Sequence, residues 1–141
     1  MRIKDKPMKS ITRMINDEVY VSANELGHEV TMDMRKAELK KGQSPTELLL
    51  SAVSGCGAVD TTMMLKKRKK TIVDFVIETV GERRSDHPKS FTKVHCHYKI
   101  TSPDVTVEEL EKVARLSLEK YCSVADSLKA VISLSVEVIR P

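Results

Sequence analysis

Over His28–Met34 the chain alternates: Val30, Met32 and Met34 take turns with Glu29, Thr31, Asp33 and the following Arg35. A period of two with one apolar set predicts a strand with one buried face. Met8–Asn16 and Glu18–Ala23 read as two further strands, joined by the turn residues Asn16-Asp17. The segment Asn24-Glu25-Leu26-Gly27 links the second strand to the third. The first third of the chain is therefore expected to be a β-meander.

The pattern then changes. Ser44-Pro45-Thr46-Glu47 combines an N-cap serine, a proline at the first helical position and a glutamate three residues after the cap. The run Leu48 to Val59 behind it has no charged face. A helix that is apolar or small all round is buried on all sides. It is expected to run to about Lys69 and to become polar only at its end. Gly55 and Gly57, on either side of Cys56, each cost about 1 kcal/mol against Ala inside a helix. That cost implies close approach by another backbone or room for a small ligand beside Cys56.

Thr71–Arg84 is expected to be a long strand, with Val73, Phe75 and Ile77 on one face. Ser85-Asp86-His87-Pro88 supplies turn chemistry, and Phe91–Ile100 returns. In the returning strand Val94, Cys96, Tyr98 and Ile100 face inward, opposite Lys93, His95, His97 and Lys99. Thr106-Val107-Glu108-Glu109 is a second capping box, opening a helix that ends near Tyr121-Cys122. Ser123 can cap a short helix from Val124 to Lys129. A last strand alternates Ile132, Leu134, Val136 and Val138 with Ser133, Ser135 and Glu137. The class is α+β, with antiparallel hairpins around one fully buried helix. The 141 residues fit one domain, 1–141, too small to wrap such a helix on every side. A second subunit is expected to cover part of it.

Composition adds limits. Apolar residues make up 40% and charged residues 31%, a globular balance. With no Trp and only two Phe and three Tyr, the core is aliphatic. The opening MRIKDKPMKS has no apolar stretch of the signal-peptide kind. Gly42–Leu65 contains Glu47 and Asp60 and is too polar for a good membrane span. A cytoplasmic protein without a membrane segment is the expectation. The net charge of +4 is modest, and Lys66 to Lys70 carry much of it. Cations there complement a helix C-terminus, which explains them better than phosphate or nucleic-acid binding does.

Three cysteines, an odd number, do not form a secreted disulfide framework. Cys56 in an apolar helix fits core packing, but the flanking glycines and a second cysteine at a helix junction favour a reactive thiol. Cys122 precedes a predicted cap, where free N–H groups favour a thiolate; burial beside Tyr121 and Val124 is the alternative. Two thiols close in space permit peroxidatic chemistry, in which a sulfenic acid on one condenses with the other. The nucleophile needs a cation nearby, and Arg13 and Arg35 are the candidates. Cys96, on the apolar strand face, reads as core. His95 and His97 share a face but lack a third ligand, so solvated or partner-facing histidines fit better than a metal site. No metal and no cofactor are expected.

Gly42-Gln43-Ser44-Pro45-Thr46-Glu47-Leu48-Leu49-Leu50, with Ser54-Gly55-Cys56, resembles the first cysteine motif of the OsmC/Ohr family. Tyr121-Cys122-Ser123-Val124 resembles its second. The likeness covers nearly the whole chain, and Gly-Cys-Gly-Ala-Val-Asp-Thr resembles an OsmC-like side branch. It implies an OsmC-like fold: an intertwined homodimer with sheets wrapped around central helices. It also implies thiol-dependent reduction of organic hydroperoxides, with Cys56 peroxidatic and Cys122 resolving; Arg35 lies in the strand-to-helix segment where the family carries its catalytic Arg, at a different spacing from the proline. A thiol reductant, such as a lipoylated protein, would restore the pair. The family's active peroxidases carry a Glu directly after the motif proline, where it holds the catalytic Arg; here Thr46 stands there. Glu47 is one residue, or about 100°, away around the helix. Asp60, one turn after Cys56, is read as a cap or solvated carboxylate, with replacement of the missing polar partner as the alternative. A binding module with a buried cysteine pocket and little turnover is the second functional reading.

Overall fold

The computed structural model describes residues 6–141. The first five residues of the opening stretch lie outside the described part. The chain divides into two compact units, one reaching to Leu48 and one running Leu49–Pro141.

In the first unit, strands β1 (Ser10–Asn16), β2 (Val19–Asn24) and β3 (Glu29–Asp33) form an antiparallel sheet in that order. The meander is the one expected, but its burial is not. Val30 and Met34 remain about half exposed, while Asp33 is buried. The reason is polar. The Asp33 carboxylate accepts from the backbone N–H groups of Arg35 at 3.0 Å and Lys41 at 2.8 Å, and from Arg35 Nε at 3.0 Å and Nη2 at 2.8 Å. A buried carboxylate is tolerated when its oxygens are saturated in this way.

Helix α1 (Pro45–Lys67) starts at the expected box. Glu47 Oε1 accepts from the Ser44 N–H at 3.1 Å and from Ser44 Oγ–H at 2.7 Å, and the Glu47 N–H donates back to Ser44 Oγ at 3.3 Å. The helix stops where Lys69 takes a positive φ of 61° and the Lys70 N–H returns to the Leu65 carbonyl at 3.0 Å, a left-handed C-terminal cap. By length and composition α1 could cross a bilayer, against the reading of this stretch as too polar. Its buried stripe is Val53, Gly57, Thr61 and Leu65, successive residues on one face, and Val53 and Leu65 belong to the core of the second unit. Burial on all sides is not found in the single chain: Leu49, Val59 and Met63 are 40%, 56% and 52% exposed.

The second sheet holds β4 (Asp74–Arg83), β5 (Phe91–Thr101) and β6 (Val131–Ile139), with β5 in the middle. Strands β4 and β5 are antiparallel; β5 and β6 are parallel. The purely antiparallel expectation fails here because α2 (Val107–Leu116), a π-turn (Ser117–Tyr121) and α3 (Ser123–Asp126) intervene. A helical crossover of that length returns the chain in the same direction. On β5 the predicted alternation holds: Val94, Cys96, Tyr98 and Ile100 are fully buried and join Leu110, Val113 and Ala114 of α2 in one core. Val73, expected on the inner face of β4, precedes the strand and is exposed.

At the start of α2 the Glu109 N–H donates to Thr106 Oγ1 at 3.1 Å, as a capping box requires. The Glu109 carboxylate turns elsewhere, to Arg68 at 3.4 Å and Lys70 at 3.5 Å. Two residues of the basic run are thus ion-paired at the end of α1.

Candidate functional site

Cys56 sits about three turns into α1 and is half-buried. Gly57 follows it on the buried stripe. A Cβ built at Gly57 would lie 2.5 Å from Tyr98 Oη and 3.7 Å from Leu118 Cδ2. The approach at Gly57 is by a side chain and not by the backbone expected: β5 presses an aromatic hydroxyl onto the helix there. Gly55 is exposed with open space around it.

Cys122 closes the π-turn, its N–H donating to the Ser117 carbonyl at 2.8 Å. Such π-bulges concentrate at functional sites because they displace a side chain from its regular helical direction. The N-cap of α3 is one residue earlier than expected. Cys122 Sγ itself accepts the Ala125 N–H at 3.3 Å, and the helix spans Ser123–Asp126 rather than Val124–Lys129. Ser123 is exposed.

Cys122 lies close enough to Cys56 for that thiol to act on it. Burial is the main force pushing the Cys122 thiol up to about 11, and a side-chain hydrogen bond with Cys56 adds to it; the Ala125 N–H opposes both. The expectation that free N–H groups favour a Cys122 thiolate is therefore corrected: desolvation outweighs them, and Cys122 holds its proton at neutral pH. A pair in which one sulfur retains a proton and faces the other is suited to condensation of an oxidised sulfur with a thiol.

Polar groups surround the pair. Asp60 Oδ2 accepts from Ser117 Oγ–H at 3.3 Å, so this carboxylate is tied to the π-turn rather than only solvated. Tyr98, fully buried, stacks edge-on to Phe75 at 6.1 Å between ring centroids. Its hydroxyl has no hydrogen-bond partner among the described residues. Burial first, and then the neighbouring Cys96, Cys122, Cys56 and Asp60, make the phenol a much weaker acid than usual, so it stays a neutral donor. A hollow of about 210 Å³ lined by Glu119, Lys120, Tyr121, Cys122, Ser123 and Asp126 reaches the second cysteine. Another of about 330 Å³, with Met63, Met64, Leu116 and Tyr121 as apolar walls, is bordered by Asp60 and Lys67.

The remaining candidates separate from this pair. Cys96 is fully buried, which is the core role expected; burial pushes its thiol up, and the Thr79 hydroxyl, donating to the sulfur at 3.9 Å, opposes that. His95 bonds Ser133 Oγ at 2.7 Å and Ser135 Oγ at 2.9 Å. His97 bonds Ser135 Oγ at 2.6 Å and Glu137 Oε1 at 3.1 Å. Both imidazoles thus have partners on β6, and no group of three metal-ligating side chains occurs among the described residues. Arg35 forks onto Asp33 within the first unit. Arg13 lies on the exposed strand β1. Glu47 is engaged by Ser44 and by Lys40 at 3.7 Å, in line with a capping role.

Sequence reasoning missed Tyr98, Ser117 and Asp33. Tyr98 had a readable signal, a hydroxyl on an otherwise apolar strand face. Asp33 looked like the solvent-facing half of an alternation, although three of its four donors belong to Arg35, two residues on.

The profile of the OsmC-like protein family matches residues 36–137. The chain belongs to the OsmC-like family. Protein YhfA of Escherichia coli K12 is 31% identical over 128 residues, covering 91% of this chain and 94% of its own length. A hydroperoxide reductase of Mycoplasma pneumoniae is 24% identical over 131 residues, covering 91% of this chain and 92% of the relative. The crystal structure of a protein from Aquifex aeolicus VF5 superposes with a TM-score of 0.84 at 29% identity, over 96% of this chain and 98% of the other. The OsmC-like fold of two small sheets with helices is thus shared along nearly the full length.

Proposed function

We propose that this OsmC-like protein reduces organic hydroperoxides through Cys56 and Cys122. The observation that carries the proposal is the nearness of the two thiols, Cys56 acting on a Cys122 thiol that burial keeps protonated. The Cys56 thiolate attacks the terminal oxygen of the hydroperoxide, the O–O bond breaks, and the alcohol leaves after taking up a proton. Cys56 becomes a sulfenic acid. The Cys122 sulfur then attacks the Cys56 sulfur, and the sulfenic hydroxyl departs with the Cys122 proton as water, leaving a disulfide. The more exposed of the two cysteines is Cys56, which supports it as the sulfur that meets substrate. The names of the Mycoplasma relatives support the same activity class.

Arg35 is the cation proposed to favour the Cys56 thiolate. Its fork on Asp33 supports this in one respect: a carboxylate fixes the guanidinium plane, the service that Thr46 cannot give. The exposed apolar side of α1, with Leu49, Val59 and Met63, supports a homodimer in which a second copy covers that side. A cytoplasmic location fits a pair that must be returned to thiols by a dithiol reductant, for which a lipoylated protein is the proposed class.

Thr46 favours a second reading, a binding module with little turnover. Intact mass after stoichiometric cumene hydroperoxide separates the two. Rapid loss of two hydrogens in the wild type, absent in Cys56→Ser, supports the peroxidase. An unchanged mass supports the module and overturns the peroxidase.

A further inference from the structure

Tyr98 presses its hydroxyl against Gly57, the residue after Cys56, with that polar atom unused. The side chain is fully buried, and its hydroxyl has no partner among the described residues. An orphaned hydroxyl in a core is destabilising, and Phe would avoid that cost in the same shape. Buried polar atoms of this kind call for an explanation, and a catalytic role is one of few. The position is not accidental in its fit: the residue directly after Cys56 is a glycine, and any larger residue there would collide with Tyr98 Oη. Both thiols also lie within the electrostatic reach of the hydroxyl, as does Asp60.

The inference rests on the peroxidase reading above. In the reduced protein neither sulfur is hydrogen-bonded to Tyr98 Oη. Oxidation of Cys56 adds an oxygen to the sulfur, which brings a hydrogen-bond acceptor to a place where none existed. We propose that Tyr98 is a catalytic residue of the resolving step, donating its hydroxyl hydrogen bond to the sulfenic oxygen that leaves Cys56 as water. The step balances without net transfer from Tyr98. The Cys122 sulfur forms the S–S bond, the S–O bond of Cys56 breaks, and the proton of the Cys122 thiol completes the water. Tyr98 stabilises the charge that gathers on the departing oxygen, as a fixed donor in a water-poor site does. Asp60 is a weaker candidate for this task. It is an acceptor when ionised, and it already takes a hydrogen bond from Ser117.

Tyr98→Phe tests the proposal. Reduced wild type and variant are mixed with stoichiometric cumene hydroperoxide. Peroxide loss is followed by stopped flow, sulfenic acid by dimedone adducts, and the disulfide by intact mass. The variant is expected to accumulate sulfenic acid and to form the disulfide at least tenfold more slowly than wild type. Its melting temperature is expected to equal or exceed that of wild type, which a purely structural tyrosine would not give together with slow resolution. Disulfide formation at the wild-type rate in the variant overturns the role of Tyr98 and leaves the peroxidase standing. A wild type that consumes no hydroperoxide overturns the peroxidase, and this inference with it.

Discussion

The hydroxyl of Tyr98 occupies the space that a side chain at Gly57 would need, with a Cβ built there only 2.5 Å from Tyr98 Oη. The ring carbon bearing that hydroxyl is 3.6 Å away, an ordinary contact. The conflict in Gly57→Ala is therefore with one oxygen atom. Overpacking of this kind costs about 1–3 kcal/mol, against the roughly 1 kcal/mol that Ala gains over Gly in a helix. Gly57→Ala is expected to lower stability on its own. In a Tyr98→Phe background the same change should be neutral or stabilising. Urea titration of the four proteins of the cycle measures this. Equal effects of Gly57→Ala in both backgrounds would show that the oxygen is not the obstacle.

Alkaline stability follows from Cys122. Its folded-state value is raised from 9.0 to about 11, chiefly by burial. Between those values the unfolded chain gives up the thiol proton while the folded chain keeps it. The unfolded state then binds fewer protons, so stability falls as pH rises through that window and is unaffected below it. Lys and Tyr groups titrate in the same range, so the informative quantity is the difference from Cys122→Ser. The variant is expected to lose less stability than wild type between pH 9 and 11. Parallel pH profiles of the two proteins would contradict the assignment.

Much of this arrangement can be read from the chain, and the remainder has physical reasons for being hidden. The box Ser44-Pro45-Thr46-Glu47 fixes the start of α1 because its bonds are local. The inner face of β5 follows from its alternation, which reports burial directly. The parallel partnership of β5 and β6 is less visible, because strand direction depends on the crossover between them and not on either strand's pattern. At the site, the cysteine motifs point to Cys56 and Cys122. The cap at Cys122 is missed because sulfur is a rare N-cap acceptor, so Ser123 is the natural choice. Asp33 is missed because its alternation with Met32 and Met34 reads as solvent-facing, and one of its donors, the Lys41 N–H, arrives only when the loop after β3 folds back.

That loop should respond to acid. Asp33 is held well below the ordinary carboxylate value of 3.8, first by the Arg35 side chain and then by the Lys41 N–H. A depressed value means that the carboxylate's contribution is present above the unfolded value and is lost as pH falls below it. Amide exchange of Arg35 and Lys41 is expected to quicken below about pH 4 relative to the rest of the first sheet. In Asp33→Asn both amides should exchange fast already at neutral pH. Protection retained in that variant would assign the loop's order to something other than the carboxylate.

The exposed side of α1 gives a test of assembly. Leu49, Val59 and Met63 are exposed large apolar residues of one helix, and Val59 is the most exposed of the three. A charge introduced into an apolar interface must be desolvated without a partner, which costs several kcal/mol. Two copies of a symmetric interface would meet that cost twice. Val59→Lys is therefore expected to be a folded monomer under conditions where wild type sediments as a dimer. The β5 core lies on the opposite, buried stripe of α1, so the far-ultraviolet circular dichroism of the variant should match that of wild type. A wild type that sediments as a monomer at micromolar concentration, or a Val59→Lys variant that remains dimeric, would remove this side of α1 as the interface.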